Sequence, residues 1–290
     1  MKLRILFSIV FMVLAVHFVF AEDENKKDKT VKGYVFEDEI VIPATPIKDQ
    51  YRTGTCWSFS GLSFLESEML RLGNHEVDLS EMFIVWHTYL AKARKHVRVH
   101  GNLSFSAGGA FHDVTNMISK FGIVPESVYN GLKYGEEKHV HGEMDRVLLQ
   151  HIDAVIENKN RKLSTVWNEA MEATLNSYLG EIPQKFEYEG KQFTPQSFAS
   201  DFVSLNMDDY VEISSYTHHP FYSKFILEVP DNWSWDEMYN VPINELEEII
   251  DYSLKNSFTV AWAADVSEKG FVTSNKGVAV LPAKLTKDMS

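Results

Sequence analysis

Directly after the only cysteine of the chain, apolar residues return at helical spacing: Leu62, Leu65, Met69 and Leu72 stand three and four residues apart downstream of Cys56. That spacing lines them along one stripe of an amphipathic helix, and the stripe must be buried against another element. A helix starting near Cys56 puts the thiol at its N-terminus, where free backbone N–H groups and the helix dipole favour an anion. A thiol attacks a carbonyl only as thiolate, so this is the environment a cysteine nucleophile needs. In the run Gln50-Tyr51-Arg52-Thr53-Gly54-Thr55-Cys56-Trp57-Ser58-Phe59-Ser60, Gln50 stands six residues upstream. Its side-chain amide can face the oxygen that turns negative in a tetrahedral intermediate, and Gly54 lets the turn approach a substrate closely. The opposing reading makes Cys56 a small core residue, since free cysteines are among the most buried side chains. For an isolated Cys-Trp pair that is the default, and the neighbouring motifs reverse it.

The stretch from Gln50 to Ser60 resembles the nucleophile region of papain-fold cysteine peptidases, in which an oxyanion Gln precedes a Cys-Trp pair at the start of a long central helix. Ser106-Ala107-Gly108-Gly109-Ala110-Phe111, followed by Phe121-Gly122-Ile123-Val124-Pro125-Glu126, is similar to that family's Gly-Gly substrate ledge and the exit from its next helix. Within the fold, the longer resemblance is to the aminopeptidase C and bleomycin hydrolase branch. It runs from Ile42-Pro43-Ala44-Thr45-Pro46-Ile47-Lys48-Asp49-Gln50 and Leu79-Ser80-Glu81-Met82-Phe83, through Phe193-Thr194-Pro195 and His218-His219-Pro220-Phe221-Tyr222, to Val260-Ala261-Trp262-Ala263-Ala264-Asp265-Val266. The resemblance implies an α+β, papain-like fold: a mainly helical Cys half, a helical insert and an incomplete antiparallel β half. It implies Cys56 as nucleophile, Gln50 and the Cys56 backbone N–H as oxyanion donors, and Gly108 and Gly109 as part of a backbone ledge that pairs with an extended peptide substrate. It also implies a hexamer and a C-terminal tail that restricts cleavage to N-terminal residues. No such tail is present here, so aminopeptidase and endopeptidase activity stay open.

Residues 1–21 carry Lys2 and Arg4, an apolar run over 5–20, and Ala21, the pattern of a secretory signal peptide. Interrupted by His17, that run is shorter than the roughly 20 residues that span a bilayer, so no stable membrane anchor is expected after cleavage. The expected product is secreted or periplasmic. A charged leader follows over 22–33, then the Cys half over 34–135, the helical insert over 136–182 and the start of the β-rich half over 183–290. Helical spacing marks the insert through Met144, Leu148 and Ile152 and again through Val166, Ala170 and Met171. Strand patterns follow at 225–229, 258–266 and 277–281. One cysteine excludes an internal disulfide, so the core alone must stabilise an exported chain. A net charge of −13 makes nucleic acid an unsuitable partner.

A cysteine peptidase also needs an oriented histidine as base. The resemblance places that His beyond Gly277-Val278-Ala279-Val280 and its orienting Asn in an Asn-Ser-Trp-Gly segment, and neither motif occurs in these 290 residues. The expectation is a chain inactive by itself, with a non-catalytic peptide-binding or assembly protein of the same fold as the alternative. His218 and His219 lie 162 and 163 residues beyond Cys56, close to the His spacing of simple papain-like enzymes. The helical insert takes up part of that separation, so they read as surface or interface residues. His139 and His141 fall short of the three or four ligands zinc needs, and read as an exposed polar loop. His87, His96 and His100 read as a solvated helix face. Neither a metal nor a cofactor is expected.

Overall fold

The computed structural model describes residues 36–267, 270–272 and 278–279. The signal-peptide and leader readings of residues 1–33 lie outside them. Among the described residues no helix is long and apolar enough to cross a membrane.

Helix α1, Cys56–Arg71, buries Leu62, Leu65 and Met69 as its spacing predicts. Leu72 falls just past the helix end and is exposed, because the chain turns off at Gly73 with φ +77°. Helix α2, Glu81–Arg98, is buried almost all round and forms the axis of the helical half. Ser80 caps it by accepting from the Phe83 N–H at 3.1 Å, while Glu81 in the first turn and Lys95, His96 and Arg98 in the last suit the helix dipole. Helix α3, Phe111–Phe121, stops at Gly122, where φ is +80° and the Pro195 backbone lies 2.2 Å from where a Cβ would stand. Only glycine satisfies both constraints.

Helices α4, Gly142–Ile156, and α5, Trp167–Leu179, bury Met144, Leu148 and Ile152 and Met171, Leu175 and Leu179, each set four residues apart on one face. Polar contacts tie both to α2: Tyr89 donates to Asp145 at 2.5 Å, the Trp86 indole to Asn176 at 3.0 Å, and Arg94 to Asn168 at 2.7 Å.

Strands β1, Phe186–Tyr188, and β2, Lys191–Phe193, form a hairpin turned by Glu189 and Gly190, both at positive φ. Its Phe186 and Phe193 pack with Phe198 of the short helix α6, Pro195–Phe198, which is capped by Thr194. A mixed sheet follows in the order β3 (Ile213–Ser214), β5 (Glu237–Asn240), β4 (Ser223–Ile226), with β5 parallel to β3 and antiparallel to β4. The Phe225–Met238 cross-strand pair is buried between exposed neighbours, the alternation of a one-sided sheet. Helix α7, Ile243–Lys255, buries no residue.

The strand expected over 258–266 is absent: residues 258–266 are irregular, with Trp262 and Val266 well exposed. A strand exists only through ladder bonds to a neighbour, and among the described residues none lies alongside. Residues 40–264 form one compact unit. In the other, strands β6, Phe271–Val272, and β7, Val278–Ala279, pair antiparallel. The rest of the 277–281 pattern lies outside the described residues.

Candidate active site

Cys56 is the first residue of α1 and is exposed. The first turn of α1 carries no acidic residue, so nothing local opposes the positive end of its dipole. Thr55 before it is fully buried, shares a hydroxyl–hydroxyl hydrogen bond with Thr53, and donates its own N–H to Thr53 Oγ1 at 3.2 Å. The Gln50 amide donates to the Thr53 carbonyl at 2.8 Å, which uses one of its two N–H bonds and leaves the other. Among the described residues no hydrogen bond reaches Cys56 Sγ.

The lead-in to this turn is fixed by charge. Lys48 contacts Glu66 and Glu81 at 2.8 Å each and Asp78 at 2.5 Å, while Thr45 donates to the second Glu66 oxygen. Burial works against the Lys48 charge, but Glu81 and Glu66 outweigh it and raise its pKa. Burial pushes the Glu81 carboxyl up to about 7, with Lys48 pulling the other way. Glu126, which accepts no bond at Oε2, is pushed up to about 8 by burial, with Glu81 and Asp78 adding to the shift.

The Gly-Gly ledge stands against this same turn. Trp57 donates its indole N–H to the Ala107 carbonyl at 3.0 Å, and a Cβ on Gly54 would lie 2.8 Å from the Ala107 Cβ. On Gly109 a Cβ would lie 2.7 Å from the Trp57 ring, and on Gly108 2.0 Å from Asp231 Oδ1. Both glycines are therefore set by close approach rather than by positive φ. Behind them Lys92, 2 % exposed, donates to the carbonyls of Ser106, at 2.8 Å, and Gly108. Burial lowers its pKa to about 8, with Asp113, Asp231 and Asp145 partly restoring it. The turn before α1 and the ledge of Gly108 and Gly109 thus pack as one wall through Gly54 and Trp57, with Cys56 at the head of α1 and Gln50 tied to the turn through Thr53.

Two histidine expectations are corrected. His139 and His141 are buried rather than in an exposed loop, because Val140 between them bridges to Arg52: the Arg52 N–H donates to His139 O at 3.0 Å and the His141 N–H to Arg52 O at 3.2 Å. Burial holds His141 down to about 4, with His139 adding to the shift, and neither of its ring nitrogens has a partner. His87 and His96 are buried too: His87 stacks on Phe121 at 4.0 Å and His96 Nδ1 faces Leu103 O at 2.7 Å. His218 and His219 lie in the loop between β3 and β4, the first exposed and the second half-buried.

Sequence reasoning missed Lys92, Asp113 and His112. Asp113 accepts from the Ala110 N–H and the Trp233 indole at 2.9 Å each, joining the ledge to residues preceding β5. His112 contacts Glu212 Oε2 at 2.8 Å and Ser234 Oγ at 2.9 Å. Burial disfavours the His112 proton, but Glu212, helped by Asp113 and Asp236, outweighs it and raises the pKa. An acid at the third position of α3 was the available signal.

A family model described as Peptidase C1-like matches residues 6–282. Among curated proteins, aminopeptidase G of Lactobacillus delbrueckii subsp. lactis is 24 % identical over 80 % of this chain and 61 % of its own length. Aminopeptidase C of Streptococcus thermophilus is 21 % identical over 87 % of this chain and 66 % of its own. Bleomycin hydrolase of Gallus gallus is 21 % identical over 81 % and 61 %. The chain therefore spans somewhat under two thirds of these relatives. The crystal structure of PepW from Lactobacillus rhamnosis HN001 aligns with a TM-score of 0.61 at 20 % identity, covering 76 % of this chain and 58 % of PepW. That likeness shows the α+β, papain-like fold.

Proposed function

This chain belongs to the Peptidase C1-like family, and we propose that it carries the nucleophile and substrate ledge of a cysteine peptidase of the aminopeptidase C and bleomycin hydrolase type. The observation that carries this reading is the shared wall: an exposed Cys56 on the first residue of α1, held against the Gly108–Gly109 ledge by Trp57 and Gly54. An extended peptide laid along the ledge would bring its carbonyl to Cys56. The Cys56 thiolate then forms the S–C bond while the carbonyl electron pair moves onto oxygen, where the Cys56 N–H and the free Gln50 N–H donate. Collapse of that intermediate breaks the C–N bond, the amine leaves with a proton from the base, and water hydrolyses the thioester. The family resemblance expects this base to be a histidine of the β-rich half.

The polar-then-apolar pattern of residues 1–21 supports an exported product, secreted or periplasmic. A homo-oligomer, a hexamer by resemblance, belongs to the same proposal.

The test uses the protein purified from the cells that make it, assayed on peptides with a free N-terminus. Cys56→Ala is expected to abolish hydrolysis, and Gln50→Ala to lower kcat by roughly a hundredfold to a thousandfold, as for other single oxyanion donors. Turnover unaffected by Cys56→Ala refutes the assignment. Peptide binding without turnover in the unaltered protein favours the non-catalytic alternative.

A further inference from the structure

We infer that His218, His219 and Glu228 form a site for a divalent first-row transition metal ion, with zinc the best match. Each offers one ligand atom, and the three atoms lie within 4.8 Å of one another. Two imidazoles and one carboxylate form a donor set that holds zinc with a fourth position left to water, whereas calcium and magnesium prefer all-oxygen shells. A tetrahedral ion with bonds of 2.0–2.1 Å sets its ligands about 3.3 Å apart. His218 and Glu228 are exposed and can close the remaining gap by rotation.

The third ligand is already placed. The ring of His219 stacks on Phe225 of β4 at 4.5 Å, and its buried Nε2 has no hydrogen-bond partner. A buried ring nitrogen without a partner costs free energy that a metal bond or a water would recover. The loop is held from beneath by Asn240, which is fully buried. Its amide donates to the carbonyls of Tyr216 at 2.9 Å, His219 at 3.0 Å and Pro220 at 3.2 Å, and its oxygen accepts from the Tyr216 N–H at 2.8 Å. Asn240 thus pairs the loop with β5 while Glu228 follows β4, so an ion here would fasten the loop to the strand it folds back on. Little ordering of the loop backbone is left for the ion to impose, and only the His218 and Glu228 side chains remain to be fixed.

The experiment is a zinc titration by calorimetry on the full chain, after chelator treatment and in a Cys56→Ala background that removes the competing thiol. One ion per chain is expected, with a rise in Tm on adding zinc. Each of His218→Ala, His219→Ala and Glu228→Gln is expected to weaken binding at least tenfold. His218→Ala and Glu228→Gln alter exposed side chains and so keep the test independent of folding. Absence of binding at micromolar zinc, or unchanged affinity in any one of the three variants, overturns the site.

Discussion

At the scale of single residues, the ledge is a place where backbone must come close to other groups, and its two glycines are constrained differently. At Gly108 the obstacle is the end of the Asp231 side chain, which is exposed and can swing away. At Gly109 it is the ring of the buried Trp57, fixed by its bond to Ala107, together with Asp113. We therefore expect Gly109→Ala to destabilise by roughly 1–3 kcal/mol, the usual cost of overpacking, and Gly108→Ala by less, as read from denaturant unfolding. Asp231→Ala is expected to relieve the Gly108 substitution and leave the Gly109 one unchanged. Equal costs with no relief would mean the ledge is not packed in this way. The glycines and Cys56 were legible in the sequence because each belongs to a short local motif. Lys92 was not, since a lysine on a helix reads as solvated. Its burial follows from carbonyls 14 and 16 residues away that only the fold brings to it.

The elements were legible to the extent that their burial is their own. The stripes of α1, α4 and α5 each bury one face against α2, and spacing alone finds such faces. Residues 258–266 alternate like a strand, but a strand is a property of two chain segments, and the neighbour is what the pattern lacks. The burial of His139 and His141 likewise comes from a backbone bridge to Arg52 that no spacing announces. At the element level, the charge cluster that anchors the start of α2 makes stability depend on pH. The folded state raises Glu126 from 4.5 to about 8, so it binds that proton more tightly than the unfolded chain does. The associated stability is fully present below pH 4.5 and is lost as pH rises through about 8. Glu126→Gln mimics the protonated group. Relative to the parent it is expected to be neutral near pH 4 and more stable by roughly 1–3 kcal/mol at pH 9, the cost of an unsatisfied buried group. A difference independent of pH would show that Glu126 is not the group responsible.

Across residues 40–264, the helical half carries Cys56 and the Gly108–Gly109 segment, and residues flanking the sheet reach α3 just after that segment through a few polar contacts. Trp233 donates to Asp113, and His112 lies between Glu212 and Ser234. Both α3 residues, His112 and Asp113, follow closely on Gly108 and Gly109, so the ledge beside Cys56 depends on both halves being assembled. A peptide-length electrophile tests this arrangement most directly, because it needs the thiol and the ledge together and does not need the base. The measurement is the labelling rate of the full chain by a peptidyl vinyl sulfone compared with methyl vinyl sulfone, with the adduct located by mass spectrometry. The structure predicts one adduct per chain, on Cys56, formed at least tenfold faster with the peptidyl reagent. Equal rates for the two reagents, or adducts on other residues, would contradict a peptidase cleft at Cys56.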